Sequence, residues 1–325
     1  MADRRLDPKR GVLPGGGPGG SSTPSFADPT GGPSGLPSRP APIRIGPSTF
    51  GWGERTYIVG ILNITPDSFS GDGLLGGPEA GSAGSAAPAD RALAQARAMV
   101  AEGADLLDVG GESTRPGHAE VSVAEEIARV VPVLRAIRAE LPGVPLSIDT
   151  TKPAVGAAAI EAGADLLNDV WGVATDDALA RLAAERGVPL ILMHNRAEAR
   201  YTNLLAEVIT DLWRAIERAV AAGCPIETLI VDPGFGFGKA PHHNLELLRR
   251  LSELHVLGRP IMLGTSRKST LGRVLDLPAD ERLEATLATT ALAAAAGIDL
   301  VRVHDVQANV RVARLIDAIV RAGVP

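Results

Sequence analysis

Eight times between residues 63 and 304, a short apolar run stops at a polar residue or a glycine and gives way to an alanine-rich stretch with helical spacing. The runs end at Asn63, Gly110, Asp149, Asn168, His194, Asp232, Gly264 and His304. Their mean separation, about 34 residues, is the length of one βαβ step. The helical patterns cover 89–102, 123–140, 153–162, 177–186, 204–222, 243–254, 279–296 and 306–322. Pro153 suits a first helical turn, and the glycines at 103, 163, 187, 223, 297 and 323 stand where helices should stop. The runs are apolar throughout rather than alternating, the mark of a parallel sheet covered on both faces. Eight such units predict an α/β fold closed as a (β/α)8 TIM barrel. An open doubly wound sheet is the other arrangement they could take. Residues 43–53 predict a short N-terminal hairpin leading into the barrel.

Ahead of the hairpin, residues 1–42 are dominated by Pro, Gly and Ser. They carry too few apolar side chains to offset their ordering entropy, so they read as a disordered tail, with one barrel domain over 43–325. The basic start of that tail is not followed by an apolar segment, so it does not read as a secretory signal. No run of about eighteen apolar residues follows, so no membrane span is expected. With a net charge of -6, neither nucleic acid nor an anionic membrane is expected as a partner. A bound anion must therefore meet local positive charge. Arginine supplies most of it: the only lysines are Lys9, Lys152, Lys239 and Lys268, and three of these follow strand ends. The single cysteine, Cys224, rules out an intramolecular disulfide and fits a cytoplasmic location.

In a (β/α)8 barrel the chemistry lies at the C-terminal ends of the strands, and nearly every predicted strand here ends in polar or charged residues. After the last two strands stand Ser266-Arg-Lys-Ser269 and Arg302-Val-His304. Arg302 and His304 alternate by two and share one strand face. Together with Arg267 and Lys268 they make a plausible pyrophosphate cradle, with rim salt bridges as the plainer reading. Asp149, Asn168 and Asp232 form a second set. A carboxylate there could accept two parallel hydrogen bonds from an amidine-like edge, which suits a nitrogen heterocycle. The plainer reading is that Asp149 or Asp169 caps the next helix. Asn63 opens a segment running to Asp72 and on through a Gly/Ser/Ala-rich stretch at 74–89 that reads as a lid. Asn63 could also help hold Mg2+ beside a pyrophosphate. Other motifs lead nowhere: Gly234-Phe-Gly-Phe-Gly-Lys239 lacks the spacing and hydroxyl of a P-loop. The adjacent His242 and His243 cannot share a helix face as zinc ligands.

Seven of these segments, taken in order, resemble the dihydropteroate synthase family. They are Gly60-Ile-Leu-Asn-Ile-Thr-Pro-Asp-Ser-Phe-Ser70, Asp108-Val-Gly-Gly-Glu-Ser-Thr-Arg-Pro-Gly117, Ser147-Ile-Asp-Thr-Thr-Lys-Pro153, Asn168-Asp-Val170, Asp232-Pro-Gly-Phe-Gly-Phe-Gly-Lys239, Ser266-Arg-Lys-Ser269 and Arg302-Val-His-Asp-Val306. The resemblance implies a pterin-binding TIM barrel and a transferase of folate synthesis. Its substrates would be 6-hydroxymethyl-7,8-dihydropterin pyrophosphate and p-aminobenzoate. It implies that Asp149, Asn168, Asp232 and Lys268 hold the pterin, and that Asn63, Arg302 and His304 hold the pyrophosphate and Mg2+. Thr114, Arg115, Phe237 and Ser269 would border the p-aminobenzoate site, where sulfonamides compete. Asp72 would be the loop acid if a one-residue shift is accepted, which makes Asp232, Lys268, Arg302 and Asp72 the catalytic set. Family members commonly pair as homodimers. The rival readings are a pterin-binding methyltransferase domain, a Schiff-base aldolase using Lys268, and a non-catalytic binding barrel.

Overall fold

The computed structural model describes residues 39–64, 88–112, 121–172 and 176–321. The segment before residue 39, the 74–87 part of the expected lid, and Asp72, Thr114 and Arg115 lie outside these. A hairpin of β1 (Ile43–Ile45) and β2 (Ser48–Phe50) precedes eight parallel strands: β3 (Tyr57–Asn63), β4 (Leu106–Gly110), β5 (Leu146–Asp149), β6 (Leu166–Asp169), β7 (Leu190–Met193), β8 (Leu229–Asp232), β9 (Met262–Leu263) and β10 (Leu300–Val303). Each pairs with its neighbour in chain order, β10 also pairs with β3, and a parallel bridge between Val231 and Ile261 joins β8 to the start of β9. The ring of eight is the barrel that the repeating unit predicts.

Helices alternate with the strands: α1 (Pro88–Glu102), α2 (Val123–Glu140), α3 (Pro153–Glu161), α4 (Ala178–Arg186), α5 (Leu204–Ala221), α6 (Pro241–Arg249), α7 (Ser269–Leu275), α8 (Leu283–Ala295) and α9 (Val306–Val320). Local chemistry sets several of the ends. Ser122 caps α2 by accepting from the Glu125 N–H, and Asn203 caps α5 by accepting from Ala206. Gly187 closes α4 in the left-handed conformation at φ 64°. The structure corrects two expected helices. The pattern at 243–254 is α6 followed by a 3-10 segment (Leu251–Leu257) whose buried Leu251, Leu254 and Leu257 follow the period of three that this tighter helix favours. The pattern at 279–296 begins only at Leu283, and α7 is an additional short helix the periodicity did not reveal.

Alternation along the strands divides the core. One set of side chains, including Leu107, Val109, Leu146, Ile148, Leu167 and Val231, packs beneath the helices. The other points into the barrel, where Val59, Leu106, Leu166, Ile191, Ile230, Met262 and Leu300 cluster with the hairpin's Ile43, Ile45 and Phe50 and with Trp52. Phe50 lies 4.7 Å from the Tyr57 ring and 5.9 Å from Trp52, measured between centroids. The hairpin thus plugs the N-terminal end with apolar rings, and burying a ring of this size is worth about 1.5–3 kcal/mol. One pleat step further along, the inward positions turn polar.

Candidate active site

Those polar positions are Asp108 on β4, Ser147 and Asp149 on β5, Asn168 on β6, Asp232 on β8 and Arg302 on β10, and all except Arg302 are almost fully buried. Arg302 sits at their centre. Its Nε donates to Asp108 and its terminal nitrogen donates to Asp149 at 2.8 Å. Asp108 also accepts from the Ser147 hydroxyl and, at 3.1 Å, from the Asn168 amide. That last bond fixes the carboxamide so that Asn168 Oδ1 is the unused atom. Within this cluster two buried acceptors are then left without a hydrogen-bond partner, Asp149 Oδ1 and Asn168 Oδ1. Orphaned buried acceptors cost free energy comparable to a lost hydrogen bond. They are paired residues in the sheet register, so one flat ligand bearing adjacent N–H donors can meet both.

Opposite them, Asp232 accepts from the Gly234 N–H at 2.7 Å. Lys268 donates to the Phe235 carbonyl and lies 4.4 Å from the centroid of the Phe237 ring, within cation–π range. Burial sets the protonation here. It raises the Asp232 pKa, and it pushes Asp149 up to about 7 even with Arg302 alongside. It pulls Lys268 down to about 8, Asp232 limiting the fall. Desolvation acts against the Arg302 charge as well, but Asp108 and Asp149 more than offset it and the net shift is upward. Three carboxylates thus face two close cations, and the excess is relieved by proton uptake at Asp149, whose raised pKa means that it holds a proton more tightly than an ordinary carboxylate.

At the rim, His304 Nδ1 lies 2.9 Å from the Ser266 hydroxyl, which also accepts the His304 backbone N–H. Asn63 is half-buried at the end of β3, paired in register with Gly110. Ser269 is the exposed first residue of α7. Asp149, Asn168, Asp232, Lys268, Arg302, His304, Phe237 and Asn63 therefore all belong to one end of the barrel, as their strand-end positions predict. One member of the expected cradle stands apart. Arg267, held at φ 57°, forms a two-pronged pair with Asp305 at 2.7 and 3.1 Å, which is the rim salt bridge of the plainer reading. Capping is not the role of Asp149, which goes to Arg302. Asp169 instead takes the Trp171 N–H at 2.9 Å in the turn after β6. Asp108 is the residue the strand-end reading passed over. Its signal was a lone carboxylate inside the apolar run Leu106-Leu-Asp-Val109.

A carboxylate–amide floor inside the mouth of a (β/α)8 barrel, with arginine and lysine over it, defines a site for a flat nitrogen heterocycle. The family profile of pterin binding enzymes matches residues 59–304. The dihydropteroate synthase of Clostridium beijerinckii is 49% identical over 280 residues, covering 86% of this chain and all of that protein. That of Bacillus subtilis is 46% identical, covering 86% of this chain and 94% of its own length. Among solved structures, the Clostridium difficile enzyme with pteroic acid superposes with a TM-score of 0.78 at 44% identity, over 84% of this chain and all of that one. The Xanthomonas albilineans enzyme with 7,8-dihydropteroate gives 0.77 at 37%, over 87% of this chain and all of that one. The chain belongs to the pterin-binding enzymes and, within them, to the dihydropteroate synthase family.

Proposed function

We propose that this barrel condenses 6-hydroxymethyl-7,8-dihydropterin pyrophosphate with p-aminobenzoate, giving 7,8-dihydropteroate and pyrophosphate. The observation that carries the reading is the pair of orphaned buried acceptors, Asp149 Oδ1 and Asn168 Oδ1, which suit the adjacent N–H donors of a pterin edge. Asp232 and Lys268 face the opposite edge of the ring, and Arg302 and His304 meet the pyrophosphate. As the C–O bond to pyrophosphate breaks, positive charge develops on the exocyclic methylene and delocalises into the ring. Asp232, buried and fixed by the Gly234 N–H, stabilises that charge because it is already in place. Lys268 and Arg302 offset the charge of the leaving group, while Phe237 and Ser269 border the arylamine; the resemblance adds Thr114 and Arg115, which lie outside the described residues. The arylamine nitrogen attacks the methylene and its proton passes to solvent; by the resemblance Asp72, outside the described residues, would be the loop carboxylate that offsets the cation. No covalent enzyme intermediate is required, and orientation supplies much of the gain.

Among the described residues no group of three or more His, Cys, Asp or Glu is arranged to hold a metal. The donor chemistry fits Mg2+ that arrives with the pyrophosphate: one neutral oxygen from Asn63, the remainder from phosphate and water. When bound, Mg2+ would neutralise charge on the leaving group. The functional unit is proposed as a homodimer of 43–325 barrel domains in the cytoplasm, with 1–42 as an appended tail. A methyltransferase domain would use the same heterocycle floor but has no need of Arg302 and His304 at the rim. Incubation with the pterin pyrophosphate, Mg2+ and p-aminobenzoate should yield dihydropteroate by mass spectrometry only when all three are present. Turnover of a methyl donor instead would establish the rival.

A further inference from the structure

Among the described residues, the buried Lys239 has no part in the proposed chemistry. Lys239, at the end of the loop after β8, is only 9% exposed. Its Nζ lies 2.8 Å from His194 Nδ1, 3.0 Å from the Gly234 carbonyl and 3.1 Å from the Phe237 carbonyl. Burial pulls the Lys239 pKa down to about 7, and in its protonated form the three ammonium donors are all matched. The neighbouring imidazole is neutral, since burial and the adjacent lysine push His194 down to about 3. Its Nδ1 is thus the acceptor, and Nε2–H faces Asp211 on α5 at 3.2 Å. A chain of contacts runs from Asp211 through His194 and Lys239 to two carbonyls of one loop.

That loop needs external support. Gly234, Gly236 and Gly238 adopt φ of 67°, 83° and 52°, conformations open to glycine that carry its full entropic penalty. The surroundings forbid any other residue at the outer two. A Cβ at Gly234 would lie 1.8 Å from the His194 carbonyl, and one at Gly238 would lie 2.4 Å from that of Arg196. Other ties are single: Asn244 takes the Gly236 N–H at 2.8 Å, and Tyr201 donates to the Gly238 carbonyl at 2.7 Å. Lys239 takes two carbonyls, and one of them belongs to Phe237, whose ring lies against Lys268. A methionine would fill the same space without the desolvation that a buried lysine suffers.

We propose that Lys239 is a positioning residue for the second substrate: through the Gly234 and Phe237 carbonyls and His194 it sets the ring of Phe237, and with it the arylamine wall of the site. The assignment of that wall to p-aminobenzoate rests on the synthase reading. Asp108, Asp149, Asn168 and Arg302 on β4, β5, β6 and β10 make no contact with Lys239, whereas Asp232 and Lys268 touch the same loop at Gly234 and Phe235.

The test is Lys239→Met in the full chain with Mg2+ and both substrates, beside wild type. The KM for p-aminobenzoate should rise about tenfold, as expected for losing a buried hydrogen-bond set. The KM for the pterin pyrophosphate should stay within about threefold of wild type, while kcat falls because the same loop holds Asp232 through the Gly234 N–H. Amide hydrogen exchange at 234–238, measured without substrates, should quicken by about tenfold or more while the remaining strands keep their protection. Equal rises in both KM values, or an unchanged p-aminobenzoate KM, would overturn the assignment. Unchanged exchange overturns it even where the wild type makes no dihydropteroate, so failure of the synthase reading is seen separately. Should Lys239→Met not fold, His194→Gln removes the anchor of the lysine and must give the same selective pattern.

Discussion

At the scale of single residues, the site is a set of buried charges whose number does not balance until a ligand arrives. Arg302 holds Asp108 and Asp149 together, so Arg302→Ala removes the leaving-group cation. The variant should lose turnover by a factor of about a thousand or more, the scale of a lost electrostatic stabiliser of the transition state. Asp232→Asn keeps the shape and removes the charge, and should be inactive with an unchanged circular dichroism spectrum. Wild-type rates in either would remove these residues from the reaction. Asp149 sets the acid limb. Burial raises its pKa to about 7, so it is protonated below that pH and loses acceptor capacity toward pterin N–H groups. Above it the carboxylate is available. In the free enzyme, kcat/KM for the pterin substrate should therefore fall as pH drops through about 7, and Asp149→Asn should flatten that limb. A limb that persists unchanged in the variant belongs to another group.

At the scale of elements, the barrel separates stability from chemistry along its own axis. Phe50 is fully buried in the hairpin plug, with Trp52 and Tyr57 around it, while the polar cluster occupies the opposite strand ends. Phe50→Ala should destabilise the chain by about 3–5 kcal/mol through lost burial and the cavity left behind. Its kcat should remain that of the wild type at temperatures where it is folded, and a matched fall in kcat would show that plug and site are coupled. The same separation explains what could be read without coordinates. Strand ends were legible because a parallel strand buried on both faces leaves its first polar residue as an unmistakable stop, so Asp149, Asn168, Asp232 and Arg302 could be named and grouped. Asp108 was not, because it lies inside its run; the β4–β5 register sets Ser147 beside it, and the pairing of β10 with β3 brings Arg302 within reach. Neither α7 nor the 3-10 turn after α6 was legible: both are shorter than the window over which helical periodicity declares itself. The support role of Lys239 was equally hidden, since its partner His194 is 45 residues distant and meets it only because β7 and β8 are neighbours.

At the scale of the whole molecule, the outer face of the last helices carries exposed apolar side chains. Leu292 on α8 is 52% exposed, and Leu315 and Ile319 on α9 are 62% and 66% exposed. The two helices pack side by side, so these side chains belong to adjoining surfaces. Ordinary barrel helices present charge outward, and α9 buries Val306, Val310 and Ala313 on its inner side, so Leu315 and Ile319 are not needed by its own core. A self-complementary contact over this face would cover them in both copies at once, as two-fold symmetry requires. Each large apolar side chain covered contributes about 1.5–3 kcal/mol, so the pair, counted twice, is enough to decide the association. The double variant Leu315→Lys, Ile319→Lys should therefore elute and scatter light as a single chain at micromolar concentration where the homodimer proposed for the wild type has twice that mass. Its circular dichroism should be unchanged, because neither residue contributes to the barrel core. A wild type that is already a single chain at that concentration would rule out the pairing, and a double variant that stays paired would move the contact to another face.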